Sequence, residues 1–576
     1  MAKTLPLPLP GVRHGERLSI SILDERAQSE PQSPWVSMPI DEGDISKGFK
    51  DVTYERRQSR CVLVGSTSSC VNGAVSVFCL CWAEGLAISY LGYGCGESGE
   101  GGMLCSFNDV QDIIISSVPY RWMLWEESYL LCYVLEQMIL PSTTMTPDAQ
   151  VHILNKKECN LYLRPESMAS VVDHVAQRRE GLQIVAAPAL EDLLQDKPAQ
   201  QFKYEKSWEE ARDDPWLVFH TSGTTGYPKP ITYTHRMMAI VDVVAKLADD
   251  EESNVHHFTF KRWYTPMPMI HFVGMLMLLS MTTFVHTVVV LGPPSLPSPE
   301  TLIEILKYGR PDGALLVPSA IDALCRDSSG LAALKSLQYI HYVGASLGVN
   351  SGKKLASDVR VIPSIGSTEV GGYFTKLRHD TEDWDYVEFN KKVGAEFEPR
   401  PGNLHELVFV RKPEWAAIQQ IFFLYPDRDR FETNDLWMEH PTRKGLWKIV
   451  GRTDDYIPLS HGDGLYASTV EREIERHDLV QAALVGGHGK PKPVLLIEMV
   501  PGKHDEELRE EFIQSLLPYL EKVNAQCHES VRLSPELVLL AQPGKPFVRT
   551  VKGSVARLPS LSLYEQEIED IYRNIL

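Results

Sequence analysis

Nine consecutive residues, Thr221-Ser222-Gly223-Thr224-Thr225-Gly226-Tyr227-Pro228-Lys229, have the composition of an anion cradle. Glycines let the backbone fold tightly so that several N–H groups face one oxyanion, hydroxyls add donors, and a lysine supplies a point charge for outer phosphates. The chemistry implied is the holding of a triphosphate. The pattern is not the G-x-x-x-x-G-K-[ST] loop, because Lys229 follows Gly226 by three residues. A flexible Ser/Thr/Gly linker is the plain alternative, and the apolar run before the segment, together with the motifs that follow it, argues against that.

Three further groups stand downstream. Ile365-Gly366-Ser367-Thr368-Glu369 follows the apolar run Val359 to Ile362, a predicted strand, and ends on a carboxylate suited to a hard cation. Alone, Ser-Thr-Glu is equally a helix start. Thr433-Asn434-Asp435-Leu436 and Gly451-Arg452-Thr453-Asp454-Asp455 offer an acid and a base close in sequence, although a lone aspartate in a loop is usually a solvated turn residue. Near the end, Lys545 and Lys552 lie in a Gly/Pro-containing stretch.

In this order and spacing, the four groups are similar to those of the adenylate-forming superfamily of acyl-CoA synthetases, luciferases and peptide-synthetase adenylation domains. The resemblance covers nearly everything from Pro34 onward except residues 56–140. Within the superfamily the chain looks most like the adenylation domains of fungal peptide-synthetase-like carboxylate reductases, on Arg549-Thr550-Val551-Lys552-Gly553 followed by Tyr564-Glu565-Gln566-Glu567-Ile568.

The resemblance implies a role for each position. Thr221 to Gly226 and Lys229 would hold the phosphates of ATP, Thr368 would contact the α-phosphate and Glu369 would hold magnesium. Gly344, Ile365 and Gly366 would border the nucleotide, with Ile365 standing where relatives usually have an aromatic residue. Asp435 and Arg452, with Gly451 beside them, would take the ribose hydroxyls, and Asp454 would be the hinge between two domains. Lys552 would stabilise charge at the α-phosphate, with Lys545 as the alternative because the commoner family pattern puts glycine before lysine. His271, in Ile270-His271-Phe272-Val273, would gate the adenylate; a satisfied core histidine is the plain alternative. Amino-acid-activating relatives carry an aspartate in this segment and this chain does not, so an aryl or alkyl acid is expected. A thiol, either coenzyme A or the phosphopantetheine of a separate carrier protein, is the expected acceptor, and Gly464 stands where many relatives have lysine in the loop after the hinge.

The elements that must position these groups are an alternation of apolar β-branched runs and helical periods. Strands are expected at Trp216 to Phe219 and Ala314 to Val317, and helices at Met237 to Leu247 and Thr301 to Leu306, giving an α/β fold with mostly parallel sheets. From Gly451 the texture changes to a small α+β lid. There Ser468-Thr469-Val470-Glu471 is read as a capping box, Ala482 to Val485 and Val494 to Val500 as strands, and Glu506 to Val523 as a helix. The expected division is 1–452 and 453–576. The apolar stretch Met269 to Leu291 is broken by His271, Gly274 and His286, and predicts a buried helix then a buried strand rather than a membrane span.

Residues 56–140 hold seven of the ten cysteines and the Gly92 to Gly102 run, without CxxC or histidine spacing for a metal. An irregular, poorly packed segment is expected there. The 576 residues suffice for two to four domains, and a formal net charge of −19 argues against nucleic acid as a partner. The opening residues lack an apolar run of signal-peptide length, so a reducing, cytoplasmic setting is expected.

Overall fold

The computed structural model describes residues 13–54, 61–65, 86–90, 114–115, 138–141, 145–164, 169–186, 206–221, 228–245, 253–268, 270–293, 297–378, 380–400, 403–460, 464–501, 509–525, 527, 529–549 and 555–575. Fully apolar strands such as Gly313–Leu316 and Val288–Val290 are buried on both faces, the pattern of a parallel sheet covered by helices. They belong to a seven-stranded sheet ordered Arg360–Pro363, Tyr339–Tyr342, Gly313–Leu316, Arg262–Tyr264, Val288–Val290, Pro34–Pro39, Phe49–Thr53. All neighbours are parallel except the final antiparallel pair. Crossovers run through Pro299–Gly309, Pro318–Arg326 and Val349–Ala356; the first has proline inside its first turn and Ser298 accepting from the Thr301 N–H.

A second sheet is ordered Lys229–Thr234, Pro215–Thr221, Met138–Ile139, Ile114–Ile115, and a third, antiparallel, Ala395–Arg400, Leu404–Val410, Arg430–Glu439, Trp447–Arg452. These make a large N-terminal domain. The smaller C-terminal domain packs Ala467–Ile474, Arg509–Asn524, Arg557–Leu563 and Glu565–Ile575 around the sheet Val480–Gly486, Val494–Met499, Val538–Leu540.

Met269 to Leu291 is, among the described residues, a buried helical run from Phe272 to Val285, with a π-helical stretch Leu276–Met281, followed by the strand Val288–Val290. Among the described residues no helix is long and apolar enough to cross a membrane. The helix expected over Met237 to Leu247 is two short helices, His235–Met238 and Ile240–Ala245, broken at Ala239.

The capping box at Ser468 is not formed. The helix Ala467–Ile474 starts earlier, after Tyr466, and Glu471 instead accepts from the Val485 N–H at 2.6 Å and from Arg557 at 2.5 and 2.6 Å. A buried carboxylate gains more from a guanidinium and a buried N–H than from a solvated helix end.

The expectation of irregularity over residues 56–140 falls mostly outside the described residues, as do Gly92 to Gly102 and every cysteine of the segment except Cys61. The described parts are strands: Cys61–Gly65 runs parallel to Leu86–Tyr90, and Met138–Ile139 is buried beside Pro215–Thr221.

Candidate functional site

Thr221 ends one strand and Lys229 begins the next, and the two face each other in antiparallel register. The strands on either side of the glycine- and threonine-rich segment, Pro215–Thr221 and Lys229–Thr234, are therefore antiparallel neighbours. Ser222, Gly223, Thr224, Thr225 and Gly226 themselves lie outside the described residues. Lys229 is exposed; its Nζ donates to the Tyr425 hydroxyl at 2.9 Å and sits 5.4 Å from the ring centroid.

The strand it opens carries Tyr233, fully buried, whose hydroxyl donates to the Thr368 carbonyl at 2.8 Å and accepts from Gln420. Burial, with the nearby Glu369 charge adding to it, pushes the Tyr233 phenol well above its ordinary range, so it stays a donor. One side chain thus ties the strand behind the first motif to the backbone of the second.

The second motif is a miniature hairpin, Gly366–Ser367 against Gly371–Gly372, with Thr368 and Glu369 in its turn. A Cβ on Gly366 would fall 2.4 Å from the Gly371 carbonyl oxygen, so the close approach requires glycine. Just beyond, the buried Tyr373 returns its N–H to the Ile365 carbonyl at 2.8 Å and donates its hydroxyl to Asp435 Oδ2 at 3.0 Å. The other oxygen, Oδ1, accepts from Arg452 Nη1, also at 3.0 Å. Asp435 and Arg452 are register partners across two strands, and Asp435 is 8% exposed, so the pair is fixed by the sheet.

Gly451 has a packing reason for being glycine, since a Cβ there would lie 2.0 Å from Ser468 Oγ, where the small domain's first helix meets the last strand of the large domain. Asp454 lies in the 3-10 turn Thr453–Asp455 between the two domains. Arg472 of that first helix donates to the Ile449 carbonyl at 2.7 Å and to Ser346 Oγ at 2.6 Å.

A cleft of about 1120 Å³ brings together Gly344, Ile365, Gly366, Thr368, Asp435, Gly451 and Arg452 from the large domain with Arg472, Arg549 and Arg557 from the small one. Thr221, Lys229, His271 and Glu369 are not on its wall. His271 is half-buried at the N-terminal end of Phe272–Met275, and its neighbours Phe272 and Val273 line the cleft in its place.

Lys552 lies outside the described residues. The chain on either side of its loop is pinned, because Arg549 and Val555 form an antiparallel bridge and both line the cleft. The alternative, Lys545, is held elsewhere: its Nζ is 2.5 Å from Glu567 Oε1 and 4.5 Å from the Tyr564 ring centroid. Tyr233, Tyr373, Gln420 and Arg472 carry no sequence signal of their own, since each meets its partner across a gap set only by the fold.

Two family models match the chain, AMP-binding enzyme over residues 139–395 and AMP-binding enzyme C-terminal domain over residues 454–575. The chain is similar to a carboxylic acid reductase of Neurospora crassa, 29% identical over 97% of this chain and 51% of the reductase. An adenylate-forming reductase of Heterobasidion annosum is 28% identical over 74% of this chain and 40% of that protein. The chain therefore spans about half the length, or less, of these relatives. In fold it is similar to the anthranilate CoA ligase AuaEII solved with anthranoyl-AMP, with TM-score 0.63, 14% identity, and coverage of 97% of this chain and 98% of that one. With Gly344, Ile365, Gly366, Thr368, Asp435, Gly451 and Arg452 on one cleft and matching family models over both the large and the small domain, the chain belongs to the AMP-binding enzyme family and has its adenylate-forming fold.

Proposed function

We propose that the protein activates a carboxylic acid with ATP, forming an acyl-adenylate and pyrophosphate. The observation that carries this reading is the convergence of Thr368, Asp435, Arg452 and the Gly344 and Gly366 turns on one cleft between a large and a small domain. The domain limits we propose are 1–452 and 453–576. The loop Thr221 to Gly226 and Lys229 hold the triphosphate, Ile365 borders the adenine, and Asp435 and Arg452 take the ribose hydroxyls.

Glu369 suits magnesium, which binds through one or two carboxylates completed by substrate phosphates, and the bound ion would neutralise phosphate charge. The reacting nucleophile is the substrate's own carboxylate. Its oxygen forms a bond to the α-phosphorus, the α–β bridging bond breaks, and the electron pair leaves with pyrophosphate. Lys229, Thr368 and Lys552 stabilise charge that grows during that exchange, so catalysis rests on positioning and electrostatics.

The acid enters beside His271, past Phe272 and Val273. No carboxylate stands in Ile270 to Val273 to pair an α-ammonium group, which favours an aryl or alkyl acid. Rotation at Asp454 then admits a thiol acceptor, coenzyme A or a carrier's phosphopantetheine, in a reaction of secondary-metabolic type. Exchange of labelled pyrophosphate into ATP, run across aryl and alkyl acids, tests the reading. Acid-dependent exchange supports it; ATP binding without exchange for any acid would leave a nucleotide-binding remnant instead.

A further inference from the structure

One end of the cleft is apolar, walled by Val241, Phe258, Phe272, Leu276, Met277 and Leu315. Asn254 and Ser364 are among the polar residues that line the same cleft. Asn254 is committed locally, with its Oδ1 accepting from Ser253 Oγ at 3.2 Å and its N–H donating to the Thr375 carbonyl at 3.1 Å. Ser364 is held differently, by a buried chain that runs through the sheet.

Ser364 continues the strand Arg360–Pro363, and its N–H donates to the Tyr342 carbonyl at 2.8 Å. Its Oγ is 2.7 Å from His341 Nδ1, and His341 Nε2 is 3.0 Å from His257 Nδ1. His341 is fully buried on the strand Tyr339–Tyr342, beside Leu315 in register, with the Phe258 ring 4.9 Å away edge-on. Burial pushes its imidazole down to about 3, so it is neutral at physiological pH. The His257 backbone is fixed in turn, its carbonyl accepting from Trp263 Nε1 at 3.1 Å.

With both imidazoles in their neutral form, the pair gives Ser364 two hydrogen-bonding states. With the shared proton on His341 Nε2, Nδ1 accepts from the serine, whose lone pairs then face the cleft as acceptors. With the proton on His257, His341 Nδ1–H donates to the serine, whose own O–H is then free to donate. Either state matches a hydroxyl, which is both donor and acceptor, and neither leaves a charge in an apolar compartment.

We propose that Ser364, positioned by the His341–His257 pair, is a specificity residue that reads a hydroxyl group on the apolar body of the acid. The inference rests on the acid-activating reading above. An acid lacking the hydroxyl would leave the serine's second bond unmade in a water-poor pocket, and such sites discriminate strongly against the unsubstituted analogue.

The test uses matched acids, benzoate against 3- and 4-hydroxybenzoate and hexanoate against 6-hydroxyhexanoate, in pyrophosphate exchange. The wild type should favour at least one hydroxylated member by about tenfold or more in kcat/KM. Ser364→Ala should bring that ratio to within about threefold of unity, with the larger loss falling on the hydroxylated acid. His341→Leu should lose the preference, and His341→Asn, whose amide can reach the same serine, should retain part of it. Equal use of both members by the wild type, or a preference surviving Ser364→Ala, would overturn the inference. So would a uniform loss of ATP affinity in Ser364→Ala, which would place the serine on the nucleotide. If no acid supports exchange, it is the acid-activating reading that fails; the serine is then judged by melting temperature, where a hydroxylated acid must stabilise the wild type more than Ser364→Ala.

Discussion

Asp435 is held on both oxygens, by Tyr373 and by Arg452. A carboxylate so fixed has little freedom to rotate, which suits the role on the ribose proposed for it. Asp435→Asn keeps the shape and loses the charge facing Arg452. Nucleotide affinity, measured by calorimetry, should fall by about 10- to 100-fold, since hydrogen bonds to charged groups are worth about 1.5–3 kcal/mol. Unchanged affinity would remove Asp435 from the sugar site. Lys552→Ala should act on the other side of the reaction coordinate, lowering pyrophosphate exchange by about 10²- to 10³-fold with ATP affinity nearly intact, because the charge it meets appears only as the carboxylate attacks. Near-normal exchange would return the role to Lys545, which would first have to leave Glu567.

At the scale of elements, Gly274 shows what the apolar helix demands. A Cβ there would stand 2.2 Å from the Pro268 carbonyl oxygen, a backbone atom that cannot swing aside. Alanine in place of glycine ordinarily gains about 1 kcal/mol in a helix. Overpacking against fixed backbone costs about 1–3 kcal/mol or more, so the clash wins and Gly274→Ala should destabilise the protein in urea unfolding. A stabilised variant would mean that the turn before Phe272 can relax. This helix was legible from its pattern, as were the strands around Leu217, Leu315 and Leu484, because continuous burial leaves continuous apolar runs. Lys229–Thr234 was not: Lys229, Pro230, Thr232 and Thr234 read as the tail of a polar loop, and the alternation of buried Ile231 and Tyr233 is too short to announce a strand. Ser468 misled for a related reason, since the box pattern was present while Glu471 had a stronger partner, Arg557, 86 residues away. The motifs themselves were legible because each is contiguous; the Tyr373–Asp435 bond spans 62 residues, and no local rule joins them.

At the scale of the whole molecule, two buried imidazoles and a half-buried one shape the response to acid. Burial pushes His235 down to about 4 and His286 and His341 to about 3. The unfolded chain binds protons near pH 6.5 while the folded chain does not, so stability is complete above that pH and is lost as pH falls toward 4. For His235, which is 4% exposed and stacked on Trp216 at 4.5 Å, the loss is on the order of 3 kcal/mol. His235→Phe, which can keep the stack, should narrow the stability difference between pH 7 and pH 4.5; an equal difference in both proteins would show that the histidine titrates normally.

The apolar cores of the two domains are nearly separate. The small domain's clusters run from Ile457 to Tyr572 and those of the large domain end at Trp437 and its neighbours, with Tyr466 packing across onto Leu404, Leu436 and Val450. Among the described residues the junction also holds hydrogen bonds such as Arg472 to Ser346 and Asn350 to the Arg476 carbonyl. Water can replace each of these bonds as it breaks, whereas a shared apolar core would have to be exposed all at once. The rotation proposed at Asp454 would then follow a gradual path, stepping from one set of polar partners to another, without either body beginning to unfold.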